Sequence, residues 1–234
     1  AAGATTAENA VAGASEGNVG NMVTTGVNGI AGKAYRFNNN ATQAGIVDMG
    51  NASFLPRLKT KDALTYSVWV KTGDTSGGRN VAVFAGNDTV AASYVDMGLA
   101  AAQVGQQGSA NGRFRPNGNA NLIEHFSTPK VINDGGWHHL SLTIDLKPAP
   151  GRLVLYVDGV ERAAGPLAGG VLPDFNNFEI GRLGRAAPAD PLEGVIDDVQ
   201  VYDEALSAEK VKYLFDHPGM IVEPEPPVVS PDEA

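Results

Sequence analysis

At 234 residues the chain has room for one large domain or two small ones, and no linker-like segment divides its middle. A formal charge of −9 argues against non-specific binding to nucleic acid or an anionic membrane surface. The absence of cysteine excludes disulfides, thiolate metal sites and thiol catalysis. No apolar run approaches the roughly 20 residues of a membrane-spanning helix. The small, polar start AAGATTAENA lacks a signal-peptide core, so any secretion signal is expected to have been removed.

In chain order, weak strand character at 19–25 precedes two short predicted strands at 33–37 and 45–49, around Asn38, Asn39 and Asn40. Segment 64–71 is a stronger strand, with Leu64, Tyr66, Val68 and Val70 on one face and Thr65, Ser67, Trp69 and Lys71 on the other. Strands are also predicted at 80–86, 94–99 and 122–126, with the turn-rich NGRFRPNGNAN (111–121) carrying two Asn-Gly hairpin signals. From Trp137 onward Leu140, Leu142, Ile144 and Leu146 alternate with His139, Ser141, Thr143 and Asp145. Segment 152–157 joins 160–162 through the tight turn Asp158-Gly159, and 178–182 is a further strand.

The segment GVIDDVQVYDEALSAEKVKYL (194–214) begins as a strand, and counting by twos sets Asp197 on the face of Val195, Val199 and Val201. A carboxylate there must be hydrogen-bonded, paired or metal-bound, because an unpaired buried charge is very costly. Ser207 is a good N-cap for one short C-terminal helix, with Glu209 in its first turn. Residues 220–234 form an acidic, Pro-rich tail that reads as a tether or inter-domain linker following a single domain at 1–219. Many strands and one late helix predict an all-β, antiparallel two-sheet β-sandwich.

Four pieces in order, LTYSVWVK (64–71), GGWHHLSLTID (135–145), GRLVLYVDGV (151–160) and segment 194–214, resemble the laminin-G-like domains of the concanavalin A-like lectin/glucanase class. FEIGR (178–182) and the paired-strand segment 29–50 extend the resemblance over roughly residues 20–216, while 88–128 matches none of its motifs. The resemblance implies a jelly-roll sandwich, but this fold hosts lectins, adhesion modules and hydrolases alike. It also implies a structural role for His139 and, as in many such domains, calcium held by oxygen ligands, for which Asp197, Asp198, Asn18 and Asp48 are the candidates, with the loops around Asn18 and Asn38. The alternative for Asp197 is a structural joint bonded to main-chain N–H groups or to the Trp137 indole.

Sugar binding asks for aromatic faces and planar polar groups. Trp69 is a candidate stacking platform, or else a residue covered by a loop or helix. Arg113, Phe114, Arg115, Asn117, Asn119 and Asn121 sit in one turn-rich stretch suited to an anionic glycan. Catalytic signals are sparse: Glu193, Asp197 and Asp198 lack a dense glycosidase carboxylate run, and His125 with Glu124 and Tyr94 is the one enzyme-like cluster. The leading expectation is a non-catalytic, monomeric carbohydrate-binding or adhesion module of a larger secreted protein of bacterial type. The alternatives are a polysaccharide-active enzyme on the same sandwich and a structural spacer.

Overall fold

A computed structural model describes residues 2–11, 13–39, 43–76, 78–90, 93–116, 122–147, 149–167 and 172–223. Asn40, Asn117, Asn119, Asn121 and most of the Pro-rich tail lie outside these residues. The first elements are β1 (Thr6–Ala7), β2 (Gly17–Val19), β3 (Val23–Asn28), β4 (Lys33–Phe37), β5 (Val47–Gly50), α1 (Leu55–Leu58) and β6 (Ala63–Lys71). Then come β7 (Asn80–Gly86), β8 (Tyr94–Ala100), β9 (Ser109–Arg115), β10 (Ile123–Phe126) and β11 (Trp137–Asp145). The chain continues through β12 (Gly151–Val157), β13 (Val160–Leu167), β14 (Asn177–Ile180), β15 (Gly194–Tyr202) and α2 (Ala208–Asp216).

The strands form two antiparallel sheets. An eight-stranded sheet runs β1-β2-β5-β14-β7-β8-β9-β10, and a seven-stranded sheet runs β13-β12-β11-β6-β15-β4-β3. The alternation in β6 and β11 works as read: Leu64, Tyr66, Val68, Val70, Leu140, Leu142 and Ile144 join the inter-sheet core. Their neighbours Thr65, Ser67, Trp69, His139 and Ser141 are buried on the other face, away from that core.

That outer face is covered by α2, whose start is the expected Ser207 N-cap accepting from the Lys210 N–H. Phe215 stacks on Trp69 at 5.6 Å between ring centroids, and Trp69 is only 5 % exposed. Trp69 is therefore a covered residue and not a free platform. His139 lies 5.3 Å from Trp69 and shares a 2.8 Å hydrogen bond with Ser67 through Nε2. Replacing Phe215 by Ala is expected to red-shift tryptophan emission and lower stability by about 2 kcal/mol, less than the roughly 3–5 kcal/mol of a wholly buried Phe because Phe215 is half-buried. Unchanged emission would show that α2 does not shield the indole.

Two sequence expectations are corrected by β-sheet detail. First, Asn111-Gly112 is no hairpin turn; it lies inside β9, paired with β8 and β10. The αL-tolerant pair is overridden because Ala110, Gly112 and Phe114 fill the core face, with Gly112 against Leu142. Second, counting β15 strictly by twos fails. Asp197 pairs with Trp69 and Gln200 with Ser67, so β15 carries one extra residue there, and Asp198 takes φ +50°. The bulge turns Ile196, Val199 and Val201 toward the core and leaves Asp197 on the outer face with Trp69.

Asp197 is a joint. It is 8 % exposed, its Oδ2 accepts from the Ala31 N–H at 2.9 Å, and its Oδ1 accepts from the Asp198 N–H at 2.9 Å. The clamp ties the last strand to the turn between β3 and β4, without the Trp137 indole. A Cβ on Gly29 would stand 2.1 Å from Asp197 Oδ2. Gly29→Ala is expected to cost about 1–3 kcal/mol, the range for overpacking, in urea denaturation. A neutral result would mean that the turn can leave Asp197 without loss.

Candidate functional site

The outer face of the eight-stranded sheet concentrates polar chemistry. Directly opposed residues on antiparallel strands point to one face, so register alone builds a row across the sheet. The row runs Asn18, Asp48, Glu179, Phe84, Asp96, Arg113 and Glu124. It contains Asn18 and Asp48, the two candidates singled out with Asp197, whereas Asp197 belongs to the other sheet. Asp48 Oδ1 accepts from the Gly50 N–H at 2.8 Å, and Asn18 is exposed. Asn38 and Asn39 serve the main chain: their amides donate to the Met22 and Leu192 carbonyls. Among the described residues, no group of three or more His, Asp or Glu is placed to hold a metal ion.

Three carboxylates of the row, Glu179, Asp96 and Glu124, are each gripped by an arginine. Arg182 holds Glu179 at 2.6 and 3.0 Å, helped by the Asn177 amide at 3.0 Å. Arg79 holds Glu124 in a two-point pair at 2.8 Å each, and the Asn111 amide adds a third bond at 2.9 Å. At the centre Arg113 donates to Asp96 at 2.7 Å and to Asp190 at 3.2 Å. Burial raises the Asp96 pKa to about 6, against the pull of Arg113. Burial works against the Arg113 charge as well, but the Asp96 carboxylate overcomes it and keeps the guanidinium charged.

Loop 181–193 crosses this face. Leu183 packs with Val81, Phe84 and Tyr94 in a small apolar cluster, and Asp190 reaches Arg113 with φ +52°. Arg113 and Arg115 both lie over the Tyr94 ring, at 5.7 and 5.9 Å. Arg115, Arg182 and Arg185 are half-buried and mark where the row meets solvent. Beneath them Asp96 Oδ2 and Asn111 Oδ1 are buried acceptors with no protein donor. Both residues are fully buried, so these acceptors belong to the interior of the face rather than to its accessible surface.

The remaining predicted residues fall elsewhere. Phe114 is wholly buried in the core and is not a loop aromatic. Glu124 and His125, being successive strand residues, face opposite ways. His125 packs against Gly165 of β13 at the sandwich edge, so the His125, Glu124 and Tyr94 cluster does not exist. The row itself was missed because its members are spread from residue 18 to residue 179, and only strand register unites them. Segment 111–121 held one usable signal, Arg113 and Arg115 at a spacing of two.

Residues 41–212 match the Laminin_G_3 family model, described as the concanavalin A-like lectin/glucanases superfamily. The chain belongs to this family. Its fold resembles domain 4 of AbnA, a GH43 extracellular arabinanase from Geobacillus stearothermophilus solved with arabinotriose, at TM-score 0.60 and 21 % identity, covering 83 % of this chain and 82 % of that one. It resembles the Ruminococcus gnavus IT-sialidase CBM40 bound to α2,3-sialyllactose at TM-score 0.56 and 17 % identity, covering 68 % and 86 %. The binding domain of Paraclostridial Mosquitocidal Protein 1 matches at TM-score 0.59 and 18 % identity, covering 86 % of this Laminin_G_3 chain and 47 % of that one. A comparison with curated proteins gives no match.

Proposed function

We propose that this laminin-G-like domain is a non-catalytic carbohydrate-binding module of a larger secreted protein, meeting a glycan on the outer face of its eight-stranded sheet. The observation that carries this reading is the row of mostly polar side chains that register sets from Asn18 to Glu124, flanked by half-buried Arg115 and Arg182. Sugar-bound modules among the structural neighbours, with sialyllactose and with arabinotriose, support it. Carboxylates tied to Arg79, Arg113 and Arg182 favour holding a ligand over acid–base catalysis, which needs a carboxyl free to exchange a proton.

The guanidinium groups suit hydroxyl-rich sugars or sugars bearing a planar carboxylate. A glycan array followed by calorimetry, with and without calcium, tests the reading. Arg115→Ala is expected to weaken a positive glycan at least tenfold, while Lys212→Ala on the exposed face of α2 leaves it unchanged. Absence of binding to any glycan sinks the proposal, and turnover on a polysaccharide panel would turn it into an enzyme.

A further inference from the structure

The outer face of the eight-stranded sheet has one cationic corner, where loop 181–193 meets β8 and β9. Tyr94 and Arg115 stand directly opposite each other in the sheet, so their side chains share the outer face. The Arg115 guanidinium lies 5.9 Å from the centre of the Tyr94 ring, and Arg113 lies 5.7 Å from it. The loop supplies a third arginine. Leu183 and Ala189 exchange main-chain hydrogen bonds at 2.9 and 3.1 Å, which closes 184–188 into a hairpin tip. Leu183 belongs to the apolar cluster around Tyr94, and the Gly184 carbonyl accepts from the Asn177 amide at 2.9 Å. Arg185 follows these two anchors and comes close enough to act electrostatically on the Tyr94 hydroxyl. Three guanidinium groups thus bear on Tyr94 against one carboxylate, Asp96, which is itself bonded to Arg113.

We propose that Arg115 and Arg185 form an anion subsite, so that the glycan held on this face is an acidic one presenting a sugar carboxylate. The inference rests on the glycan-binding reading and adds to it a requirement for charge. Arg113 is buried, whereas Arg115 and Arg185 are half-buried and open to a ligand from solvent. Both also interact with other groups of the protein, and a guanidinium has five N–H donors to share between those groups and a ligand. A planar guanidinium meets a carboxylate through two parallel N–H bonds, which a partly desolvated site strengthens. Arg115 projects from a strand paired on both edges and Arg185 from an anchored tip, so both are positioned before the ligand arrives. A densely sulfated polymer fits less well, because its many charges meet the field of a chain carrying −9. One carboxylate meets only this corner.

A glycan array printed with matched pairs tests this on the full chain. It carries sialylated and uronate-bearing oligosaccharides, each beside its carboxyl-reduced neutral twin, with sulfated glycans alongside. Acidic members are expected to bind at least about tenfold tighter than their twins, as a charge-assisted hydrogen bond implies, with calorimetry on the best pair. Amide NMR shifts on adding the acidic twin are expected at Tyr94, Arg115 and Arg185, a readout that needs no change in the protein. Arg185→Gln, with an unaltered circular-dichroism spectrum, should erase most of the acidic preference. A merely structural role for Arg185 would weaken both twins alike and leave their ratio unchanged. That unchanged ratio, neutral twins binding as tightly as acidic ones, or shifts confined to other residues would each overturn the anion subsite while the glycan module stands. Preference for sulfated over carboxylate-bearing glycans overturns the carboxylate class. Absence of binding to every glycan overturns both readings together.

Discussion

Arg113→Leu is expected to destabilise the domain by about 3–5 kcal/mol at pH 8, the usual cost of removing one partner from a buried ion pair. Arg113 is 3 % exposed and Asp96 is wholly buried, so the substitution strands a carboxylate where water cannot reach it. The cost should shrink at pH 5. Asp96 already has its pKa raised to about 6 by burial, and without the arginine it escapes the charge penalty by binding a proton. Coupling Arg113→Leu to Asp96→Leu should recover most of the loss, because two apolar side chains leave no uncompensated charge. Urea denaturation at both pH values checks this. Equal losses at pH 5 and pH 8 would mean that Asp96 does not carry the effect, and a double variant no better than the single one would point to packing by the Arg113 stem.

The sequence showed the fold wherever periodicity and packing agree. In β6 and β11 the apolar residues alternate without interruption, and both faces end as read, with Leu64 to Val70 inward and Trp69 outward. The helix α2 was legible because Ser207 caps it and its apolar stripe has a wall to meet. β15 was half legible. Its strand character survives a bulge, but the side-chain count does not, and nothing short of φ +50° at Asp198 announces the slip. β9 was hidden by Asn-Gly, a pair whose turn preference is local and weak beside seven residues paired with β8 on one edge and four with β10 on the other.

The candidate site was less legible for a different reason. Its row is a property of register, and Asp48, Glu179 and Asp96 acquire a common face only once β5, β14, β7 and β8 are laid side by side. The short strand at β14 and loop 181–193 also bring in partners from far along the chain. Asp190 meets Arg113 across 77 positions of sequence. Single-residue chemistry could pick out Arg113 and Asp48, but not the carboxylate that each would face.

His139 and Asp96 are expected to tilt stability with pH in opposite directions. Burial beside Trp69 and Phe215 lowers the His139 pKa from 6.5 to about 4, against the pull of the Asp158 carboxylate. Its unfolded form therefore binds more protons than the folded form between about 4 and 6.5. The stability it contributes is full above pH 6.5 and drains as pH falls through that window, by about 3 kcal/mol at 1.36 kcal/mol per unit. Asp96 does the reverse: its folded pKa of about 6 lies above the ordinary 3.8, so its contribution is full at low pH and is lost as pH rises toward 6. Over pH 4–6 the two offset in the wild-type chain. His139→Gln should therefore tilt the stability curve downward with rising pH relative to wild type, and Asp96→Asn should tilt it upward. Urea midpoints at half-unit steps resolve the slopes independently of any constant loss from repacking. Parallel curves for all three proteins would show that neither group changes its protonation on folding, and that the buried outer faces of the two sheets do not govern the acid response.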